Sequence, residues 1–435
     1  MLSEKRETSG TNSRRTNTRN INKMRNQSFF IMLFLTLLAS PLFSQEESET
    51  QSDIITSIEI IGLKRTQLHL AKYPLEKFIG QDRSSFDQNE VFAVVKNMNV
   101  LEPISAELIE TEDGLTLRVT VEEKWSIFPV PLFFTGSGET IYGLFLYDAN
   151  AFGIMDSIAV GGMYSNNGWS AIAMYNHTPN RQGLPGWFGF FLYGKQKEEN
   201  VDNRERILRV YTADRLRFSL GLNYSITELI TSSAGLSFLN ISLDNKNAFN
   251  APEDGAMLIG FNPRISMRRS SWDGFFLSEE TITLEYSYNY AIIGSSYHQI
   301  EYRGNYEKSL LPGFRLNIRS GGVWKSTEDP LFVEGPGTAQ VNILPRYYSA
   351  HYYAGLSAGL EKYIAKLRWG TLSVQGAWQC VFSGKENNDF YFDHGPSGGV
   401  VFYLSRIALP AIGTNIAYNM TSGLFQFSFS IGMSF

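Results

Sequence analysis

The end of the chain alternates strictly between apolar and polar side chains. The apolar positions are Phe425, Phe427, Phe429, Ile431, Met433 and Phe435, and the residues between them are Gln426, Ser428, Ser430, Gly432 and Ser434. A period of two predicts a β-strand with one apolar and one polar face. Because the polar side chains are small and uncharged, the strand is typical of a transmembrane β-barrel with lipid outside and water inside.

Segments with this period recur from Lys124 to the end of the chain. In one of them Ile282, Leu284 and Tyr286 alternate with polar residues. The pattern predicts a transmembrane antiparallel β-barrel of about sixteen strands, an even number as single-chain barrels prefer. The strands are predicted near residues 140–148, 156–165, 169–176, 186–194, 205–213, 216–224, 233–242, 257–266, 278–290, 295–306, 313–323, 350–361, 370–380, 398–406, 410–418 and 423–434.

Residues 324–349 are the longest part of the predicted barrel without alternation. They include Gly335-Pro336-Gly337 and are predicted to form one long loop between the eleventh and twelfth strands. A loop of this length in a compact fold is usually functional or disordered. A soluble β-sandwich would also alternate, but it would not need so many strands with apolar outer faces.

Residues 53–123 predict a separate small α+β domain. Ile54 to Leu63 is rich in β-branched residues, as a strand is, and two stretches of helical spacing follow. Two alternating stretches then flank the turn Glu112-Asp113-Gly114. The order strand, helix, helix, strand, strand predicts a three-stranded sheet with both helices on one face.

The N-terminal residues 1–44 predict an extension and a secretory signal peptide. Arg25 precedes the apolar run from Phe29 to Leu38, and small residues up to Ser44 provide a cleavage site. Met24 is an alternative start. The apolar run is short for a membrane-anchoring helix, which needs about 20 residues. Residues 45–52 are acidic and are predicted to be a solvated linker.

Composition narrows the class of protein further. The net charge of −5 argues against a nucleic-acid partner. A mean hydropathy of −0.17 is far too low for a helical membrane protein of this length, whereas 14% aromatic residues suit a barrel with aromatic girdles. Cys380 is the single cysteine, and its parity places it on the apolar face.

No pattern of residues indicates catalysis, and the chain is predicted not to be an enzyme. None of the five histidines lies in a HExxH motif or beside a Gly-x-Ser-x-Gly elbow. Asp393-His394 is the nearest dyad, and such loop pairs are usually only solvated. Neither a metal site nor a cofactor is predicted.

The small domain resembles a POTRA (polypeptide-transport-associated) domain. The resemblance rests on an Ile-x-Ile-x-Gly segment, a threonine soon after it and a last strand that ends Val-Glu-Glu. In this chain the matching residues are Ile58, Ile60, Gly62, Thr66, Val121, Glu122 and Glu123.

The whole of residues 53–435 resembles the Omp85 superfamily, in its BamA- and TamA-like form with one POTRA domain. Gly143 and the run Asp148-x-Asn150-x-Phe152-Gly153 resemble the first barrel hairpin of the family. The loop 324–349 matches the family's sixth extracellular loop. The resemblance implies that this loop folds back into the barrel lumen.

The family's loop carries an Arg-Gly-aromatic motif that carboxylates of the inner wall hold. Here the motif is Arg346-Tyr347-Tyr348, with tyrosine in place of glycine. Glu361 matches one carboxylate and faces the lumen by its parity, whereas Gln375 stands where the second is expected. We expect Arg346 to pair with Glu361 and to fix the loop inside.

The resemblance implies an insertase or translocase of the bacterial outer membrane with its POTRA-like domain in the periplasm. Client strands would add to the POTRA sheet edge and to a lateral seam between the first and last strands, 140–148 and 423–434. Gly423 and Gly432 would weaken the last strand, or mark ordinary bends.

The expected partners are the lipid bilayer, unfolded outer-membrane or secreted polypeptides, and periplasmic chaperones or accessory lipoproteins. Two alternatives stay open: an exporter of one substrate, as in two-partner secretion, and a passive pore or structural surface protein with the fold alone.

Overall fold

The computed structural model describes residues 53–112, 114–136, 139–177, 184–202, 204–345, 347–384, 390–405 and 412–431. The predicted extension, signal peptide and linker lie outside these residues, as do Arg346, Gly432 and Phe435. Among the described residues, no helix is long and apolar enough to cross a membrane.

A small α+β unit precedes the barrel and has the predicted order of elements. Its elements are β1 (Ile55–Ile61), α1 (Leu68–Lys72), α2 (Gln88–Asn97), β2 (Leu101–Thr111) and β3 (Gly114–Glu123). The sheet order is β1-β3-β2, with β1 parallel and β2 antiparallel to β3. The first helix is shorter than its spacing predicts, because Pro74 continues it as a 3-10 turn over Tyr73–Phe78.

The two helices bury their apolar sides against one face of this sheet. Leu75, Phe78 and Val91 lie against Leu117 and Val119, and all five are almost inaccessible to solvent. Each such side chain contributes about 1.5–3 kcal/mol relative to its exposed state. The Asp87 carboxylate caps α2 by accepting the Asn89 N–H at 2.8 Å.

Sixteen antiparallel strands form the rest of the structure, as the sequence predicts, and each is hydrogen-bonded to its neighbour along the chain. They are β4 (Ile127–Gly136), β5 (Glu139–Ala151), β6 (Asp156–Ser165), β7 (Gly168–His177), β8 (Pro185–Val201), β9 (Ile207–Ser225), β10 (Ile230–Phe249), β11 (Ala256–Trp272), β12 (Leu277–Ile293), β13 (Tyr297–Leu311), β14 (Phe314–Lys325), β15 (Tyr352–Leu367), β16 (Gly370–Gly384), β17 (Phe390–Leu404), β18 (Ile412–Asn419) and β19 (Leu424–Ile431).

The predicted number of strands is right, but the prediction misses one strand and divides another into two. The first barrel strand is β4, which lies before the predicted strand 140–148. The predicted strands 205–213 and 216–224 are one strand, β9, of 19 residues. The first error arises because Pro129 and Pro131 stand in a nearly continuous apolar run that hides the alternation.

The two faces of the barrel wall differ in polarity, as the period of two predicts. Leu222 and Ile282 on the outer face are about 60% exposed, whereas Arg315 and Glu361 on the inner face are buried. The outer face can be covered by lipid, and the inner face surrounds the lumen. We call the end against which the small unit packs the base, and the opposite end the mouth.

Candidate functional site

Glu123, the last residue of β3, binds the segment after β1 in the small unit and, through Asn150, the end of β5. Its carboxylate accepts the backbone N–H groups of Lys64, Arg65 and Thr66 at 2.6, 2.9 and 3.1 Å. Burial favours the neutral form of this carboxyl, but these hydrogen bonds and that from the Thr66 hydroxyl favour the charged form. The net effect is a Glu123 pKa below its ordinary value of 4.5.

Thr66 and Asn150, which belong to two separate predicted motifs, meet at this carboxylate. The Asn150 amide donates to the Thr66 hydroxyl at 2.8 Å and to Glu123 at 3.2 Å. Its carbonyl accepts the Met155 N–H at 2.8 Å, and Asn150 is fully buried. The POTRA-like motif and the Asp-x-Asn-x-Phe-Gly motif therefore form one site, which the sequence did not indicate.

An ion pair and a turn complete the contact at the base. Arg65 donates to both oxygens of Asp148, at 2.9 and 3.3 Å. The Gln67 N–H donates to the Gly153 carbonyl at 3.0 Å. A Cβ at Gly153 would lie 2.4 Å from the Arg65 carbonyl oxygen, and φ there is +75°, so only glycine fits. The turn 152–155 joins the second and third barrel strands, not the first two.

The other residues of these two motifs lie in the core, in a strand or next to one, and not at the Glu123 contact. Ile58 and Val121 belong to the core of the small unit, and Ile60 packs against it. Gly62 follows β1, and Glu122 is exposed on the sheet. Gly143 lies within β5, where its register partner on β4 is Leu132.

A second contact joins the small unit to the opposite side of the base. The Lys96 ammonium group of α2 lies 4.1 Å from the centre of the Trp272 ring, at the end of β11. The neighbouring Asn97 amide donates to the Ser270 hydroxyl. The small unit is therefore fixed at two separate points of the base, under β5 and under β11.

The long loop, residues 326–351, crosses the mouth and packs inside the barrel through two apolar clusters. In the first, Leu331 and Phe332 pack against residues of β9 to β13. In the second, the loop contributes Ala339, Val341, Ile343, Leu344, Tyr348 and Ala350. A Cβ at Gly355 on the inner wall would lie 2.2 Å from the Ala339 carbonyl oxygen, so the loop backbone lies directly on the wall.

The two tyrosines of the predicted loop motif are both anchored. The Tyr347 hydroxyl accepts the Asn167 amide at 2.9 Å, and its carbonyl accepts the Val201 N–H at 3.0 Å. Tyr348 is fully buried, and its hydroxyl is hydrogen-bonded to Ser383 on β16. Arg346 lies outside the described residues, so its pairing with Glu361 stays a prediction.

Glu361 has an arginine partner on the wall itself. Its carboxylate accepts Arg315 at 2.5 Å, and Tyr403 and Ser373 donate to it as well. Arg315 also binds Glu307 at 2.7 Å. Arg315 and Glu361 are register partners across β14 and β15, so they lie on the same face of the wall. Alternation within β14 could have placed Arg315 on the lumenal face from the sequence. Gln375 is the register partner of Glu361 on β16.

The polar face of the last strand is bound from inside the barrel. The Asn342 amide of the loop donates to the Asn415 carbonyl on β18 at 2.9 Å and to the Ser428 hydroxyl on β19 at 3.4 Å. The Gln426 amide on β19 donates to Glu205, in the turn after β8, at 3.4 Å. Phe425 and Phe427 point outward, and Phe429 follows with the same parity. Gly423 lies in the preceding turn with φ +76°, not in the strand as predicted.

The sheet closes where β4 meets β19, and their Cα atoms approach within 8 Å. Among the described residues, no backbone ladder joins these two strands. Because proline has no N–H, the residues beside Pro129 and Pro131 must make the bonds of β4 to β5. The N–H positions that the two prolines lack therefore face β19. The seam involves β4, not the predicted strand 140–148.

The predicted outer-face and dyad assignments can also be located. Cys380 lies between Trp378 and Phe382, which are both exposed on the outer face. Asp393 is buried and accepts the Asn419 amide at 3.0 Å, whereas His394 stacks on the Trp378 ring. Asp393 and His394 lie on opposite faces of β17, so they form no dyad.

The solved structures that resemble this chain include BamA and CdiB proteins. BamA from Haemophilus ducreyi lacking POTRA domains 1–3 has a TM-score of 0.50 and 11% identity, over 88% of this chain and 84% of that one. CdiB from Acinetobacter baumannii has a TM-score of 0.57 and 12% identity, over 88% of this chain and 74% of that one. CdiB from Escherichia coli has a TM-score of 0.52 and 11% identity, over 94% of this chain and 96% of that one.

The chain has the fold of BamA and CdiB. No protein-family model and no curated protein matches it. At 11–12% identity the likeness shows the fold alone, and this fold is the β-barrel that the sequence predicts.

We expect Glu123→Gln to weaken the binding of segment 64–66 to the end of β3 by about 2 kcal/mol, because three N–H donors lose a charged acceptor. Hydrogen exchange of the Lys64–Thr66 amides, corrected for intrinsic rates, measures it. Since the folded pKa of Glu123 is lowered, the wild-type protection should be complete above pH 4.5 and lost as the pH falls through the folded pKa. Glu122→Gln is the control, and equal effects of the two variants would contradict this assignment.

The two candidate partners of Glu361 can be separated by mutation. We expect Arg315→Ala to lower the free energy of unfolding by about 3–5 kcal/mol, because it leaves buried carboxylates without their cation. If Arg346 pairs with Glu361, as the sequence predicts, Arg346→Ala should also lower the free energy of unfolding, and a loss below about 1 kcal/mol would contradict that pairing. Denaturant unfolding of the purified barrel measures both, and a larger loss for Arg346→Ala would show that the loop arginine holds Glu361.

Replacing both seam prolines by valine should supply two N–H donors toward β19. At about 1 kcal/mol for each hydrogen bond, Pro129→Val with Pro131→Val should stabilise the seam by about 2 kcal/mol. Slower hydrogen exchange of the β19 amides would show it. The control is Pro263→Val on β11, far from the seam, which should leave the exchange of the β19 amides unchanged. If the double variant also leaves it unchanged, the two prolines do not face β19.

Proposed function

We propose that this chain is an outer-membrane member of the Omp85 superfamily that inserts or translocates polypeptides at the seam between β4 and β19. The observation that carries this proposal is that no ladder joins these two strands within the part of the chain that the structure describes. An unpaired strand edge can bind an incoming strand by β-augmentation. Pro129 and Pro131 lower the number of bonds that must break before a client strand can enter.

The small unit, as a POTRA domain in the periplasm, would offer a second edge to clients. The edge of β1 is already covered, because Gly80 donates to the Ile55 carbonyl at 2.8 Å and Ile55 donates to Gln81 at 2.9 Å. β2 forms the other edge of the sheet. We therefore infer that an extended client adds to β2.

The occupied lumen favours the seam over a permanently open pore. Loop 326–351 fills the mouth with two apolar clusters and binds β18 and β19 through Asn342. A passive pore would need this loop to leave. A client that enters at the seam would break the contacts of Ser428 and Gln426 and could leave the apolar clusters of the loop in place.

A depletion and rescue experiment tests the function. Loss of the chain should reduce many outer-membrane proteins at once if it acts in assembly, or remove one exported protein if it serves a single substrate, as in two-partner secretion. No change in either set would contradict the proposal and favour a structural role. Quantitative mass spectrometry of outer membranes gives the readout.

Rescue by a locked seam tests the route. In a Cys380→Ser background, cysteines at Pro129 and Phe429 should form a disulfide across the seam and abolish rescue until it is reduced. The matched control joins Tyr418 and Phe425, which are register partners on β18 and β19, and should rescue fully. Full rescue by the oxidised seam variant would contradict passage through the seam.

A further inference from the structure

Four large apolar side chains are exposed together at the base of the barrel, beside the seam. They are Leu68 on α1, Trp125 before β4, Ile127 at the start of β4 and Phe152 after β5. Trp125 and Phe152 are 63% and 73% exposed. We call these four residues the base patch.

Hydrogen bonds bring the members of the base patch close to one another. Gln67 donates its N–H to the Gly153 carbonyl, which places Leu68 next to Phe152. Ser126 accepts Arg65 at 3.0 Å through its hydroxyl and Ala149 at 3.0 Å through its carbonyl. The segment 125–127 is thereby held along the end of β5, just before the turn that carries Phe152.

The base patch faces outward. Trp125 and Ile127 alternate with Ser126 and Phe128, which are both buried, so the two exposed side chains share the side of the apolar outer face. Phe152 has φ +61°, a left-handed conformation that is uncommon for a bulky residue. The turn thus holds the Phe152 ring on the surface, away from the apolar core that the small unit forms with Phe128 and Ala149.

An aromatic cluster at the same end of the wall marks the level of the membrane surface. Tyr175 and His177 on β7 hydrogen-bond the buried Asp156, which follows the turn of Phe152 by four residues. The Trp187 ring stacks on Tyr175 with the ring centres 4.2 Å apart. Aromatic side chains with a polar end are enriched at the boundary between bilayer and water.

We propose that the base patch inserts into the lipid leaflet on the side of the small unit and holds that unit against the membrane beside the seam. Its occupant is phospholipid, because Trp125 and Ile127 lie on the side of the apolar outer face and the aromatic cluster lies at the same end of the wall. Leu68 belongs to the small unit, so the unit touches the bilayer with its own side chain. The inference needs the barrel to span a membrane but does not depend on the proposed function.

Fluorescence of a site-specific label tests this inference in the full-length protein. Phe152→Cys, in a Cys380→Ser background, is labelled with the environment-sensitive dye NBD and reconstituted into phosphatidylcholine nanodiscs. We expect blue-shifted emission and strong quenching when a fraction of the lipids carries a nitroxide near the headgroup. Glu122→Cys, on the exposed sheet face of the same unit, should emit as in water, and Leu222→Cys on the outer wall should be shielded.

Two outcomes would overturn the inference. Emission at position 152 like that at position 122 would place the patch in water. Shielded emission that nitroxide lipids do not quench would show that protein covers the patch. Trp125→Cys provides the same measurement at a second position if Phe152→Cys does not fold, and labelled Leu68→Cys reports whether the small unit itself reaches the lipid.

Discussion

A backbone N–H or C=O group that faces hydrocarbon without a partner costs several kcal/mol, so a sheet in a membrane must close on itself. In this chain the closure depends on β4 and β19, the two ends of a sixteen-stranded sheet. Pro129 and Pro131 lie on β4 with their missing donors toward β19. Among the described residues, backbone ladders join each barrel strand to the next one along the chain, and no ladder joins β4 to β19.

Side chains inside the barrel provide some of the hydrogen bonds to β19 that no β4 ladder provides among the described residues. Asn342 in the lumenal loop and Glu205 in the turn after β8 bind the polar face of β19, while its phenylalanines face outward. At the base, Glu123 of the small unit accepts the Asn150 amide at the end of β5, the second barrel strand. The last described strand is thus held from the lumen as well as by its ladder to β18.

The sequence was sufficient for the wall and insufficient for its contacts. Alternation predicted the last strand, the number of strands and the long loop, because a half-buried strand must alternate wherever lipid meets water. It failed at β4, where two prolines and adjacent apolar residues hide the period. It also failed within β9, a strand of 19 residues that alternation divided into two.

The sites depend on register and on pairs distant in sequence, which alternation does not provide. Arg315 and Glu361 are 46 residues apart and meet only because β14 and β15 align in one register. Thr66 and Asn150 are 84 residues apart and meet through Glu123. The predicted motifs contained several of these residues, but the sequence did not show which of them belong together.

The most direct test of the central claim is the distance across the seam in a bilayer. Spin labels at positions 129 and 429, on β4 and β19, would be measured by double electron–electron resonance in nanodiscs. Labels at Leu220 and Leu236, register partners on β9 and β10, provide the reference. The account predicts a broad or two-part distance distribution across the seam and a narrow one at the reference. A seam distribution as narrow as the reference would contradict it.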